Sequence, residues 1–132
     1  MRKAISADEV ISIYLAVCEV LKEAWLISDY RRGNREGKKI VNVFKELEKD
    51  ITLALDTLPF LFEEPNPVAR SKAAAHCISL GILINESVQV LEEVAVRESE
   101  TVIGFNAKMT LKVWREQGYL KVYPSQEKYF IR

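Results

Sequence analysis

The sequence predicts an all-α fold, a single domain of five or six helices packed as antiparallel hairpins. Apolar residues recur at spacings of three and four through most of the chain, which is the period of a helix with one buried face. Helix-start signals precede several of these runs, and glycines follow two of them. No segment shows the sustained apolar and polar alternation that is typical of a strand.

The first helix is predicted from a capping box at its start. The Ser6 hydroxyl can accept from the Glu9 amide, while the Glu9 carboxylate reaches back to the Ser6 amide. The apolar stripe then continues to about Tyr30. Residues 31–34 include glycine and asparagine, two residue types that tolerate positive φ. We therefore expect a short turn at residues 31–34.

A second long helix and a short one are predicted next. Apolar residues keep the helical period from Ile40 to Leu58, with lysines and glutamates between them. Residues 59–62 are strongly apolar and begin with proline, which predicts a helix of one or two turns in the core.

Three further helices follow in the sequence. Asn66 as N-cap and Pro67 at the first helical position predict a helix start, and Gly81 predicts its end. Asn85 is expected to cap the next helix, and Gly118 to terminate the last one. These signals make residues 1–118 one helical domain.

Residues 119–132 are predicted to form a C-terminal tail in which aromatic residues alternate with cations. Tyr119 and Tyr123 belong to it. Such residues can pack back onto a helical body, anchor a protein interface or stack on bases. The sequence does not distinguish between packing of this tail onto the helices and a role in a protein interface.

One helix pair resembles a HEAT-type repeat. Its first helix opens with the pattern Pro-x-x-Arg-x-x-Ala-Ala, formed by Pro67, Arg70, Ala73 and Ala74. The order of features over nearly the whole chain is similar to that of a family of small bacterial proteins with a HEAT-like fold and unassigned function. The resemblance implies a HEAT or armadillo-like arrangement of hairpins, with the first two helices as the cap that repeat architectures need.

The same resemblance implies a function in protein binding. Members of that family are found, among other contexts, beside polymorphic toxin genes, where small helical proteins serve as immunity factors. On this basis we expect a non-enzymatic protein. Its expected partner is a toxin domain encoded by a neighbouring gene, which it would bind and neutralise. A cytoplasmic location is expected because the first residues hold no apolar signal segment and no apolar run is long enough for a membrane span.

The whole chain has no net charge, but its acidic and basic residues are unevenly distributed along the sequence. The 19 basic and 19 acidic residues give a formal net charge of zero, which argues against a dedicated nucleic-acid or membrane-surface protein. The segment from residue 86 to 100 is acidic, however, and could complement a basic nuclease cleft. The alternative is an ordinary solvated helix face. The candidate partner-binding residues are Glu86, Glu92, Glu93, Glu98, Glu100, Tyr119 and Tyr123.

A basic segment supports a second, less favoured function. Residues 31–39 hold five cations and one glutamate. They could bind phosphates, which would make the chain a nucleic-acid-associated helical module that also uses the aromatic tail. The alternative is that these cations complement the negative end of the first helix and are otherwise solvated. Nucleic acid is therefore not the favoured partner.

No residue set indicates a reaction or a cofactor. His76 follows an alanine run and precedes Cys77, but adjacent helical side chains point about 100° apart and cannot form a dyad. Cys18 is the other thiol, and both cysteines are expected to be reduced core residues. The spacing of these residues predicts no metal site, and the acidic pairs are expected to be solvated. No apolar run is long enough for a membrane span.

Overall fold

The computed structural model describes residues 4–126. Within that range it contains no strand, and it forms six α-helices and one 3₁₀-helix. They are α1 (Ala7–Leu26), α2 (Tyr30–Lys49), α3 (Ile51–Thr57), the 3₁₀-helix (Leu58–Glu63), α4 (Pro67–Leu80), α5 (Ile84–Arg97) and α6 (Val102–Gln117). The predicted all-α class is confirmed.

The helices pack as sequential pairs around one core. α1 pairs with α2, α4 pairs with α5, and α5 pairs with α6. α1 also packs against α4, so α1 and α4 join the two halves of the molecule, and α6 touches both of them. The largest fully buried side chains come from all seven elements and include Tyr14, Phe44, Leu58, Leu91 and Ile103.

The first connection differs from the prediction. α1 ends at Leu26 and α2 begins at Tyr30, so the turn predicted at residues 31–34 is wrong. Ser28 supplies the positive φ, at 60°, and the Asp29 carboxylate caps α2. Gly33 lies inside α2, where a Cβ would come within 3.3 Å of the Trp25 indole nitrogen. The glycine therefore allows close helix approach and forms no turn.

The helix predicted from Ile40 to Leu58 is interrupted. α2 ends at Lys49, and Asp50 caps α3 by accepting a hydrogen bond from the Leu53 amide at 3.1 Å. The apolar period continues across this break, so periodicity alone does not reveal it. The short apolar helix is confirmed as the 3₁₀-helix Leu58–Glu63.

The later helix ends follow local capping chemistry. The Asn66 side chain accepts from the Val68 amide at 2.8 Å, and Gly81 ends α4 with a φ of 75°. Gly118 ends α6 with a φ of 84°. The predicted start of α5 is wrong by two residues, because Leu83 and not Asn85 occupies the N-cap position, without a side-chain hydrogen bond.

Residues 119–126 lie against the helices. Ser79 of α4 donates its hydroxyl hydrogen to the Leu120 carbonyl at 2.8 Å and accepts from the side-chain amide of Gln126 at 2.8 Å. The remaining residues of the predicted tail, 127–132, lie outside the described residues. No helix between residues 4 and 126 is both long and apolar enough to cross a membrane.

Candidate functional site

The predicted acidic residues are spread along α5 and its connection to α6. Glu86 is in the first turn of α5, and Glu93 is seven residues later on the same face. Glu92 points about 100° away from Glu93. Glu98 and Glu100 lie in the connection to α6. The structure therefore does not align all five residues in one row.

Two of these glutamates form ion pairs within the chain. Glu92 lies 3.0 Å from Arg115 of α6, and Glu93 lies 4.0 Å from Arg97. All four side chains are exposed, so neither pair contributes much to stability. Glu86 is exposed and forms no ion pair with any residue from 4 to 126.

Large apolar side chains are exposed where α5 meets α6. Val96 at the end of α5 is 75% exposed, and Phe105 in the first turn of α6 is 58% exposed. Two exposed glutamates lie close to them in sequence, Glu93 on α5 and Glu100 in the connection to α6. We name Glu93, Val96, Glu100 and Phe105 the acidic corner.

The two predicted tail tyrosines are half-buried. The Tyr123 ring packs edge-on against Phe44, with centroids 6.4 Å apart, and its hydroxyl donates to Glu48. Lys45 lies over the same ring. Tyr123 is therefore engaged with α2 and is not brought together with the acidic residues of α5. The Tyr119 carbonyl accepts a hydrogen bond from Gln117.

The predicted basic segment, residues 31–39, lies on α2, and further exposed cations follow it on the same helix at Lys45 and Lys49. Its exposed cations are spaced by three, four or seven residues, which places them on one face of the helix. This basic stripe consists of Arg31, Arg35, Lys38, Lys45 and Lys49. Two other cations of the predicted segment form local ion pairs, Arg32 with Glu23 and Lys39 with Glu36, as Lys49 of the stripe does with Glu46.

His76 is buried in the core and bonds to neither cysteine. Its Nδ1 lies 2.7 Å from the Tyr14 hydroxyl, and its ring meets Phe44 edge-on. Burial raises the pKa of the Cys18 thiol to about 12, and that of Cys77 to about 12 as well. Both thiols are buried and free, as expected from the sequence. A thiolate nucleophile paired with this histidine therefore has no support from the geometry.

A cavity of about 450 Å³ opens between α2, α4 and α6. Trp25 of α1 forms one wall, Lys72 and His76 of α4 line it, and residues 120–122 close one side. From the sequence, His76 is a candidate only as a possible partner of the cysteines. Lys72 and His76 are four residues apart, so the sequence places them on one helix face, but it does not show that this face borders a cavity.

Lys72 is the unusual group in the cavity. Its ammonium lies 5.3 Å from the centroid of the Trp25 ring, a cation–π arrangement. Burial lowers the pKa of Lys72 and lowers that of His76 well below its ordinary value, with the Lys72 charge adding to the second effect. No carboxylate is among the residues that line the cavity.

The described part of the chain contains no candidate metal site. No three side chains of the histidine, cysteine, aspartate or glutamate type come together there in a way that could hold a metal ion.

These features define an all-α protein of packed helical hairpins with an open cavity between helices. No protein-family model matches the chain, and no curated protein matches it. The crystal structure of the protein RPA1889 from Rhodopseudomonas palustris CGA009 is similar, with a TM-score of 0.74 and 20% sequence identity. The match covers 89% of this chain and 94% of that one. At this identity the likeness shows the fold alone.

Proposed function

We propose that this chain is a non-enzymatic protein-binding module that neutralises a bacterial toxin domain in the cytoplasm. The toxin domain is encoded by a neighbouring gene, and the module binds at or near its active cleft. The observation that carries the proposal is the acidic corner, where Val96 and Phe105 are largely exposed and the exposed Glu93 and Glu100 lie close to them in sequence.

The composition of the acidic corner suits a protein interface. Exposed aromatic and aliphatic side chains become the desolvated centre of an interface, where most of the binding energy is concentrated. Surrounding carboxylates contribute chiefly to the association rate and to the choice of partner. A basic cleft of the kind that binds nucleic acid is the complementary surface. The HEAT-type pattern from Pro67 to Ala74 adds support, since such hairpins commonly present binding surfaces.

The first test removes the apolar contacts. The purified chain is titrated with the toxin domain encoded beside it, and Phe105→Ser is compared with Phe60→Ser. Phe60 is 68% exposed and lies outside the acidic corner, so both changes remove a similar exposed ring. We expect Phe105→Ser to weaken binding at least about tenfold and Phe60→Ser to leave it unchanged. Absence of binding by the unmodified chain would overturn the proposal.

The second test addresses charge. Glu93→Gln combined with Glu100→Gln is compared with Asp56→Asn combined with Glu63→Gln, which changes the net charge equally at exposed positions elsewhere. The first pair should lower the association rate and reduce its dependence on salt. Equal effects of the two pairs would show that only net charge matters and would remove the acidic corner from the proposal.

A second candidate function is supported by the basic stripe of α2. Cations aligned on one exposed helix face are typical of a surface that contacts nucleic-acid phosphates. Binding of duplex DNA or RNA would then weaken steeply with salt. The combined Arg35→Gln and Lys38→Gln changes should reduce the salt slope by about two, whereas Lys108→Gln with Lys112→Gln on α6 should leave it unchanged. Affinity that does not depend on salt would exclude this function.

A further inference from the structure

The cavity between α2, α4 and α6 is separate from both surfaces described above. No residue of the acidic corner or of the basic stripe lines it. Its volume, about 450 Å³, falls within the range of small-molecule sites in proteins. It is also more confined than a surface for a macromolecule, because helices and residues 120–122 enclose it on several sides.

Lys72 is a half-buried cation without a counter-ion. Within residues 4–126 it forms no ion pair, and its neighbour is the face of Trp25. Lysines are rarely buried unless they are paired, since removing the charge from water costs free energy that an anion would offset. Burial accordingly lowers the pKa of Lys72. Lys121 is the other charged residue at the cavity, and it is also a cation.

The rest of the cavity is largely apolar. Ile40 of α2 lines it from one side, and Met109 and Val113 of α6 line it from the other. Asn106 and Thr110 add neutral polar groups, although the Thr110 hydroxyl already donates to the Asn106 carbonyl at 2.8 Å. The cavity thus combines a cationic end with an apolar body and has no acidic group.

We propose that this cavity binds a small amphipathic monoanion. The carboxylate of the ligand pairs with the Lys72 ammonium, and its hydrocarbon body packs against Trp25 and between α2 and α6. Charge complementarity selects an anion over a cation or a neutral molecule of the same shape. The apolar walls select a hydrocarbon body over a small hydrophilic anion such as inorganic phosphate.

The first experiment uses three eight-carbon probes that differ in charge. Octanoate, octanamide and octylammonium are titrated into the full-length, ¹⁵N-labelled chain, and the indole N–H signals are followed. The chain has two tryptophans, of which Trp25 lines the cavity and Trp114 does not. We expect octanoate to shift the Trp25 signal saturably while Trp114 remains unchanged. Octanamide should bind at least about tenfold more weakly, and octylammonium should not bind.

Variants then test the role of the cation. Lys72→Met keeps most of the side-chain volume and removes the charge, and it should reduce octanoate affinity to that of octanamide. Lys108→Met, at an exposed position of α6 that does not line the cavity, is the matched control and should bind as the unmodified chain does. Equal affinity for octanoate and octanamide, or full octanoate binding by Lys72→Met, would overturn the proposal.

A second variant leaves Lys72 intact and fills the space. A Cβ added at Gly37, which lines the cavity from α2, would meet no heavy atom within 4 Å, so this position can accept a side chain. Gly37→Leu should therefore fold and block octanoate. Octanoate affinity that is unchanged in this variant would place binding elsewhere and overturn the proposal. Toxin binding through the acidic corner should be unaffected, which separates this proposal from the proposed function.

Discussion

The Tyr14 hydroxyl and His76 Nδ1 lie 2.7 Å apart in the core and are 62 residues apart in sequence. This hydrogen bond joins α1 to α4, the two helices that connect the halves of the molecule. The His76 ring also packs edge-on against Phe44 of α2, with centroids 4.9 Å apart. A single buried histidine therefore links three helices.

Removing the hydroxyl of Tyr14 should destabilise the fold measurably. Tyr14→Phe keeps the ring but leaves a buried histidine nitrogen without its partner, which costs about 1–3 kcal/mol of unfolding free energy. Urea denaturation monitored by circular dichroism measures the difference. Tyr30→Phe is the control, because Tyr30 is 59% exposed and its hydroxyl can remain hydrated. A loss of the same size in both variants would show that the buried hydrogen bond contributes little.

Acid should destabilise the protein through His76. Burial and the Lys72 charge hold the pKa of His76 well below the ordinary value of 6.5, so the folded state excludes a proton that the unfolded chain binds. The resulting loss of unfolding free energy is absent at neutral pH and begins as pH falls through 6.5. It then grows by up to about 1.4 kcal/mol per pH unit until the folded-state pKa is reached.

The measurement is the unfolding free energy of the unmodified chain and of His76→Leu between pH 7 and pH 5. The histidine contribution is the part of the pH dependence that the variant lacks. Parallel curves for the two proteins would mean that His76 titrates normally in the folded state, which would contradict its buried placement.

Local capping chemistry accounts for the elements that the sequence predicts well. Ser6, Asn66 and Gly118 mark helix ends because their roles depend on neighbouring backbone groups only. Gly33 was misinterpreted because its role depends on Trp25, a contact between two helices that no local pattern contains. The cavity around Lys72 was missed for the same reason, since its walls come from four helices and the C-terminal segment.

The break between α2 and α3 should depend on Asp50. Its carboxylate accepts from the Leu53 amide and satisfies a donor at the start of α3. Asp50→Ala should therefore lower the unfolding free energy by about 1 kcal/mol, and Asp50→Asn by less, because asparagine is also a good cap. Asp56→Ala, inside α3 and exposed, is the control in thermal or urea unfolding. Equal losses at residues 50 and 56 would assign the effect to charge and not to capping.

Replacing glycine by alanine should change the stability of the fold in opposite directions at two helical positions. A Cβ on Gly104 would clash with the backbone carbonyl of Glu98, which accepts hydrogen bonds from the Thr101 amide and hydroxyl in the α5–α6 connection. Backbone cannot move aside as a flexible side chain can, so Gly104→Ala should cost about 3 kcal/mol. Gly37→Ala meets no such obstacle and should gain about 0.5–1 kcal/mol from the lower entropy of the unfolded chain.

The pair also tests whether the α5–α6 connection supports the acidic corner. Because Glu98 and Gly104 lie between Val96 and Phe105, a shift of this connection in Gly104→Ala should weaken binding of the toxin domain as well as the fold. Gly37→Ala should leave that binding unchanged. Stability is measured by urea denaturation and binding by calorimetry below the unfolding transition of both variants. If Gly104→Ala is as stable as the unmodified chain, the α5–α6 connection can move away from the added Cβ without loss of stability. The close approach of Gly104 to Glu98 is then not required for the fold.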